Sequence, residues 1–173
     1  MIYGNKVILR EITLEDTDLI ISWRNNPRVQ QQFIFREKFT REIHTNWIEN
    51  HVKTGDAIQY IIIEKETNKP IGSVYYSHVD RNNECAEFGI FIGEDEACGY
   101  GLGHEAIELF IKYGFKEQHF HRIYLRVIRT NENAHQLYRK VGFKEDAIVR
   151  DMVKVDGTFL DIVMMSIYAD ECI

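Results

Sequence analysis

Residues 98–104 read Cys98-Gly99-Tyr100-Gly101-Leu102-Gly103-His104, with glycine at alternate positions just ahead of a run at helical spacing. Glycine lets a backbone approach a ligand closely, and a helix start offers unpaired N–H groups and a positive dipole end. Together they suit a phosphate or pyrophosphate. Two other phosphate motifs fit less well. The frame Gly-x-Gly-x-x-Gly, begun at Gly99, puts His104 where a third glycine belongs, and the Gly-Lys-Ser/Thr of a P-loop is absent. Upstream, Glu87 interrupts the apolar run of residues 85–92, on the face it shares by alternation with Cys85, Gly89 and Phe91. A carboxylate lodged there must be solvated or paired. It reads equally as a base acting through water and as an exposed or ion-paired residue. The seven histidines are scattered; His119 and His121 flank a strand start, and His44 and His51 lie two helical turns apart. Neither pair completes a metal-ligand set, so no metal is expected.

These residues need elements to hold them. Residues 7–12 read as a strand after a Gly4-Asn5 turn, and Thr13 caps a helix that runs to about Arg24 and ends at Asn25-Asn26-Pro27. Thr40 opens a second helical stretch through Ile43, Trp47, Ile48 and His51. Strands follow at residues 58–64, 71–79 and 85–92, joined by turns at 68–70 and 80–83. After the glycine loop, Ala106, Phe110 and Tyr113, with Ile107, Ile111 and Phe115 beside them, make a broad apolar helix face. Residues 121–129 form a strand. Residues 131–141 form a helix with Ala134, Leu137, Tyr138 and Val141 on one face, ended by Gly142. Asp156-Gly157 marks a closing hairpin. The order β, α, α, β, β, β, α, β, α, β, β predicts an α/β fold, a mixed sheet with helices on both faces.

The chain of 173 residues is 45% apolar and 28% charged, which suits one globular domain over residues 1–173. No linker, repeat or low-complexity tract interrupts it. A formal charge of −6 argues against a nucleic-acid partner, which needs a basic face. Cys85, Cys98 and Cys172 are odd in number and lack metal spacing, as expected in a reducing compartment. The first six residues lack the apolar run of a signal peptide. No stretch approaches the roughly 20 apolar residues that span a bilayer. The expectation is a cytoplasmic protein without a membrane partner.

Two segments carry a resemblance. Gly99-Tyr100-Gly101-Leu102-Gly103-His104-Glu105-Ala106 is one; Asn131-Glu132-Asn133-Ala134-His135-Gln136-Leu137-Tyr138-Arg139-Lys140-Val141-Gly142-Phe143 is the other and the more specific. Together they resemble the GNAT (Gcn5-related) N-acetyltransferase family, most closely its RimJ/RimL-like branch. The resemblance covers nearly the whole chain and implies a mostly antiparallel seven-stranded sheet. It also implies acetyl-coenzyme A as cosubstrate, with the pyrophosphate on the backbone of residues 98–104. Cys98 departs from the family pattern, which puts a phosphate contact there in doubt. The strand around Phe91 and Ile92 would pair with the pantetheine arm and supply an N–H to polarise the thioester carbonyl. Asn131 would hydrogen-bond the same arm.

The implied chemistry is direct attack of a primary amine on the thioester in a ternary complex. An alkylamine has a pKa of roughly 10, so it must lose a proton before attack, and the leaving thiolate must gain one. Tyr138 matches the family's thiol-side acid; read from periodicity alone, it is a core residue. Glu87 is the candidate base. The resemblance places Trp23-Arg24-Asn25-Asn26-Pro27 beside the acceptor pocket, with Phe33 and Phe35 as aromatic walls. Trp23 and Trp47 taken singly read as core. Arg24 could clamp a carboxylate or phosphate of the acceptor. The acceptor itself is a protein N-terminus or small amine. A sugar-nucleotide amine would use the aromatic and basic groups near Arg24; a polyamine would need carboxylates, for which Glu37, Glu42 and Glu49 are candidates. A non-catalytic acetyl-coenzyme A sensor is the reading from another class, and a homodimer is compatible with the family.

Overall fold

β-Branched and aromatic residues crowd the middle of the chain, and their alternation builds the sheet. The computed structural model describes residues 1–171; Cys172 lies outside the described residues. Eight strands pair into one sheet: β1 (Ile2–Tyr3), β2 (Val7–Glu11), β3 (Ile58–Glu64), β4 (Lys69–Asp80), β5 (Cys85–Ile92), β6 (Arg122–Ile128), β7 (Lys144–Val155) and β8 (Thr158–Tyr168). Their order is β1-β2-β3-β4-β5-β6-β8-β7, and only β5 and β6 run parallel. The mixed, mostly antiparallel sheet is as expected, with one strand more than seven. The extra one, β1, is too short to show a period; it folds back on β2 through a Gly4 N–H bond of 2.9 Å to the Val7 carbonyl.

The helices are α1 (Thr17–Arg24), α2 (Pro27–Gln30), α3 (Arg41–Trp47), α4 (Leu102–Lys116) and α5 (Glu132–Val141), with a turn of π-helix continuing α3 through Val52. The apolar stripes of α4 and α5 cover one sheet face, burying Ala106, Ile107 and Phe110 against Leu9, Tyr76 and Phe88. On the opposite face Ile20, Trp23 and Val29 pack on Ile61 and Phe91. The Asn25-Asn26-Pro27 signal does more than end α1. The Asn26 side chain accepts from the Arg28 N–H and Pro27 takes the first helical position, so α2 starts at once. Asp156 and Gly157 both have positive φ, 49° and 82°, the geometry that two-residue hairpins favour.

The feature that positions the site is a parting of strands. β5 pairs with β6 only from Cys85 with Arg122 to Glu87 with Tyr124. Beyond that point β5 stays with β4 as far as Ile92 opposite Gly72, and β6 stays with β8 as far as Ile128 opposite Ile162. Residues 88–92 and 125–128 thus face each other across an open slot, each with an unpaired edge.

On the α1 side, Arg10 grips Asp16 with bonds of 3.1 and 2.7 Å, and the Thr13 N–H adds one of 2.8 Å. Burial alone would raise the Asp16 carboxyl; these hydrogen bonds outweigh it and hold the carboxyl below its ordinary value. The resulting stabilisation is complete at neutral pH and is lost as pH falls below the ordinary carboxylate range. Asp16→Asn is therefore expected to lose about 2 kcal/mol in urea unfolding at pH 7. The gap between variant and wild type should shrink as the unfolding pH is lowered through the acidic range, because the stabilisation goes as the native carboxyl takes up its proton.

Candidate active site

The glycine loop begins where β5 ends. Gly99 and Gly101 take positive φ, 88° and 79°, and Gly101 caps α4 from the left-handed region that a side chain resists. None of the backbone N–H groups from Gly99 to His104 has an acceptor among the described residues. A row of free donors at the start of a helix fits a pyrophosphate. Glu105 fastens the loop by accepting from the Asn5 and Lys6 N–H groups, and the Lys6 ammonium donates to the Tyr100 carbonyl at 3.3 Å. Arg28 ties the loop to α2: it pairs with Asp95 at 2.6 Å and donates to the Ile92 carbonyl at 2.8 Å.

A cavity of about 630 Å³ opens beside the slot and reaches it. Phe88, Gly89, Ile90 and Phe91 of β5 line it, with Val127 of β6 and Asn131, Ala134 and Tyr138 of α5. The outer wall comes from α1, α3 and the segment between α2 and α3: Arg24, Phe33, Phe35, Phe39, His44 and Trp47. Tyr75 enters from β4. It stands opposite Gly89, where any Cβ would overlap its ring. The glycine therefore makes room for a phenol on the cavity floor.

Tyr138 is half-buried, edge-on to Phe88 and Phe143, and its hydroxyl has no hydrogen-bond partner among the described residues. Burial, then the nearby Tyr75, push its pKa far above the ordinary phenol value. At neutral pH it carries its proton and can give it. Glu87 lies in the same wall, held by Arg126 through bonds of 2.6 and 3.2 Å and by His78 Nδ1 at 3.0 Å. His44 is buried, with Nδ1 3.1 Å from the Thr17 hydroxyl; burial lowers its pKa, so it is neutral at pH 7. Asn131 spends its side-chain oxygen on the Ala134 N–H as the cap of α5. Its amide nitrogen stays free in the lining.

The structure thus brings Tyr138, Glu87, Asn131, Phe91, Arg24, Phe33 and Phe35 to one cavity. Ile92 and residues 98–104 are not part of its lining; Tyr100 and Leu102 line a second cavity with Lys6, Lys65, Pro70 and Ile71. Cys98, Tyr100 and the glycines at 99 and 101 are exposed; Leu102 is buried in the core, and His104 faces Glu108 at 3.6 Å. Trp23 is a core residue bonded to Glu94 at 2.6 Å, whereas Trp47 belongs to the cavity wall. Sequence reasoning missed Tyr75, Arg28 and Arg126. The first had a readable signal, a tyrosine opposite a glycine once the hairpin register is drawn. The two arginines had none. The final hairpin also serves this region, because Asp156 at its tip meets Arg36 at 3.6 Å beside the Phe33–Phe35 segment.

Residues 6–144 match the family model of the acetyltransferase (GNAT) domain. The uncharacterized N-acetyltransferase p20 of Bacillus licheniformis is 28% identical over 173 residues, covering 98% of this chain and 97% of its own. The spermidine N(1)-acetyltransferase of Escherichia coli is 26% identical over 167 residues, covering 95% and 87%. The spermidine N-acetyltransferase of Vibrio cholerae, solved with CoA and spermine, superposes with a TM-score of 0.90 at 22% identity, over 98% of this chain and 99% of that one. The open slot, the row of free N–H groups and these matches agree. This chain belongs to the GNAT acetyltransferase family and is an acetyl-CoA-dependent N-acetyltransferase.

Proposed function

We propose that the chain acetylates a small primary amine by direct attack, with acetyl-CoA in the slot and the amine in the cavity. The observation that carries this reading is the meeting of the two spaces at Tyr138, a protonated phenol without a partner among the described residues. Acetyl-CoA supplies the thioester. The N–H groups of residues 99–104 take its pyrophosphate, and the free edge of β5 and the Asn131 amide meet its arm. An N–H near Phe91 receives the charge that develops on the carbonyl oxygen.

The acceptor enters as an ammonium and must first lose a proton. Glu87 is the one carboxylate of the cavity wall among the described residues and takes that proton through water; His78, exposed and bonded to Glu87, passes it to solvent. The amine nitrogen then bonds to the carbonyl carbon and the C–S bond breaks. The sulfur takes the Tyr138 proton, and the second nitrogen proton restores the phenol. One proton leaves per turnover.

The spermidine acetyltransferases among the relatives favour a polyamine acceptor. The cavity gives that reading little support. Glu37, Glu42 and Glu49 are exposed and outside its lining, and Glu49 is taken by Lys53. A small amine with a flat or apolar body suits the aromatic wall better than a polycation does.

Tyr138→Phe is expected to lower kcat about 100- to 1,000-fold while the acetyl-CoA Kd moves by less than about threefold. A wild type without turnover would leave only the sensor reading, and an unimpaired Tyr138→Phe would remove the phenol from the mechanism. Glu87→Gln should depress kcat/KM most on the acidic side of its pH profile; an unaltered profile would reduce Glu87 to holding Arg126. Gly101→Ala forces a side chain into the left-handed region, which costs about 1–2 kcal/mol, and should raise the KM for acetyl-CoA. Gly55→Ala, at φ 86° and with nothing within 4 Å, is the control. It should lose similar stability and leave that KM alone.

A further inference from the structure

Arg24 differs from the other arginines that the fold partly buries. Arg10 pairs with Asp16, Arg28 with Asp95, Arg36 with Asp156 and Arg122 with Asp146. Arg24 has no carboxylate partner among the described residues, and its Nε is buried without any hydrogen bond. The guanidinium lies 3.5 Å over the Phe33 ring and 4.7 Å from that of Phe39. These rings hold the guanidinium plane and leave its fork to the cavity that it lines. Burial lowers its pKa, and only the Tyr75 phenol acts in the other direction. An arginine remains charged even so.

An unpaired, partly desolvated charge is destabilising and is not kept for packing. Its surroundings do not neutralise it. Glu87 is the one carboxylate in the lining among the described residues, and Arg126 already occupies it in two bonds. The cavity therefore carries a net positive charge with its one free cation, among the described residues, at Arg24. Such a field repels a polyamine and attracts an anion.

We infer that the acceptor is a primary amine that also bears a carboxylate or phosphate, and that Arg24 binds this anionic group while the amine reaches Tyr138. This rests on the reading that an amine is acetylated in the cavity. It adds the chemical class of that amine. Arg24 is then the determinant of specificity, and the Phe33 and Phe39 rings keep its fork aimed.

Matched amines test it. Phenylalanine against phenethylamine varies only a carboxylate, and glucosamine 6-phosphate against glucosamine varies only a phosphate; spermidine is the polycation. Thiol release should show kcat/KM higher by roughly tenfold or more for the charged member of at least one pair, and which pair responds says which anion is read. Arg24→Met, which keeps the bulk over Phe33, should bring that ratio towards one through KM, and Arg24→Lys should restore part of it. Calorimetry of the same amines with CoA present needs no turnover and should show the same preference and the same loss. Preference for spermidine or for the uncharged members, a ratio unmoved in Arg24→Met, or failure of both anionic amines to bind would overturn the inference. Binding preference without turnover of any amine would overturn acetyl transfer and leave the anion site standing. Turnover without preference would do the reverse.

Discussion

The separation of β5 from β6 after Glu87 and Tyr124 is the constraint on which the rest of the structure depends. Backbone N–H and C=O groups are obligatory hydrogen bonders, and two neighbouring strands that stop pairing leave both edges unsatisfied. The sheet tolerates this because each strand is held on its far side, β5 by β4 and β6 by β8, along the whole unpaired length. The opening is therefore stiff. It lies at the middle of the sheet, so the loop that leaves β5 and the helix that follows β6 are delivered to its two lips. An extended ligand arm can replace the missing neighbour strand, as an added strand does at a sheet edge.

Burial then divides the tasks around that opening. Tyr138 on α5 is kept protonated by its surroundings, so it suits proton donation to a leaving sulfur. Glu87, a few residues before the loop, is placed by Arg126 and His78. Arg24 approaches from the opposite layer, its charge supported by aromatic faces rather than by a counter-ion. Phenol, carboxylate and unpaired guanidinium thus stand on separate elements, each fixed by different packing. The outer wall of the cavity comes from α1, α3 and the segment between α2 and α3, and the slot is framed by β5, β6 and α5. A relative can keep the second half and alter the first, so a shared fold does not by itself carry over an acceptor.

Most of the fold was legible because its elements advertise themselves locally. The strand at residues 85–92, the helix opening at Thr40, the closing glycine at 142 and the Asp156-Gly157 hairpin all depend on near neighbours in the chain. What escaped depends on distant ones. β1 exists only because Ile2 and Tyr3 find β2, and α2 is shorter than any period that could announce it. The resemblance pointed to the coenzyme side, whose glycine row and α5 motif are contiguous. The cavity wall is assembled across layers from Arg24, Phe33, Tyr75 and Trp47, so the pairing of Glu87 with Arg126 and the isolation of Arg24 could not be read from spacing.

The most direct measurement is a calorimetric titration of acetyl-CoA into the whole protein, with CoA and NAD as controls. A pyrophosphate held by the loop and an arm held in the slot predict one site with a Kd in the micromolar range, matched closely by CoA and not by NAD. No heat of binding at millimolar acetyl-CoA, or equal binding of NAD, would contradict the account at its centre.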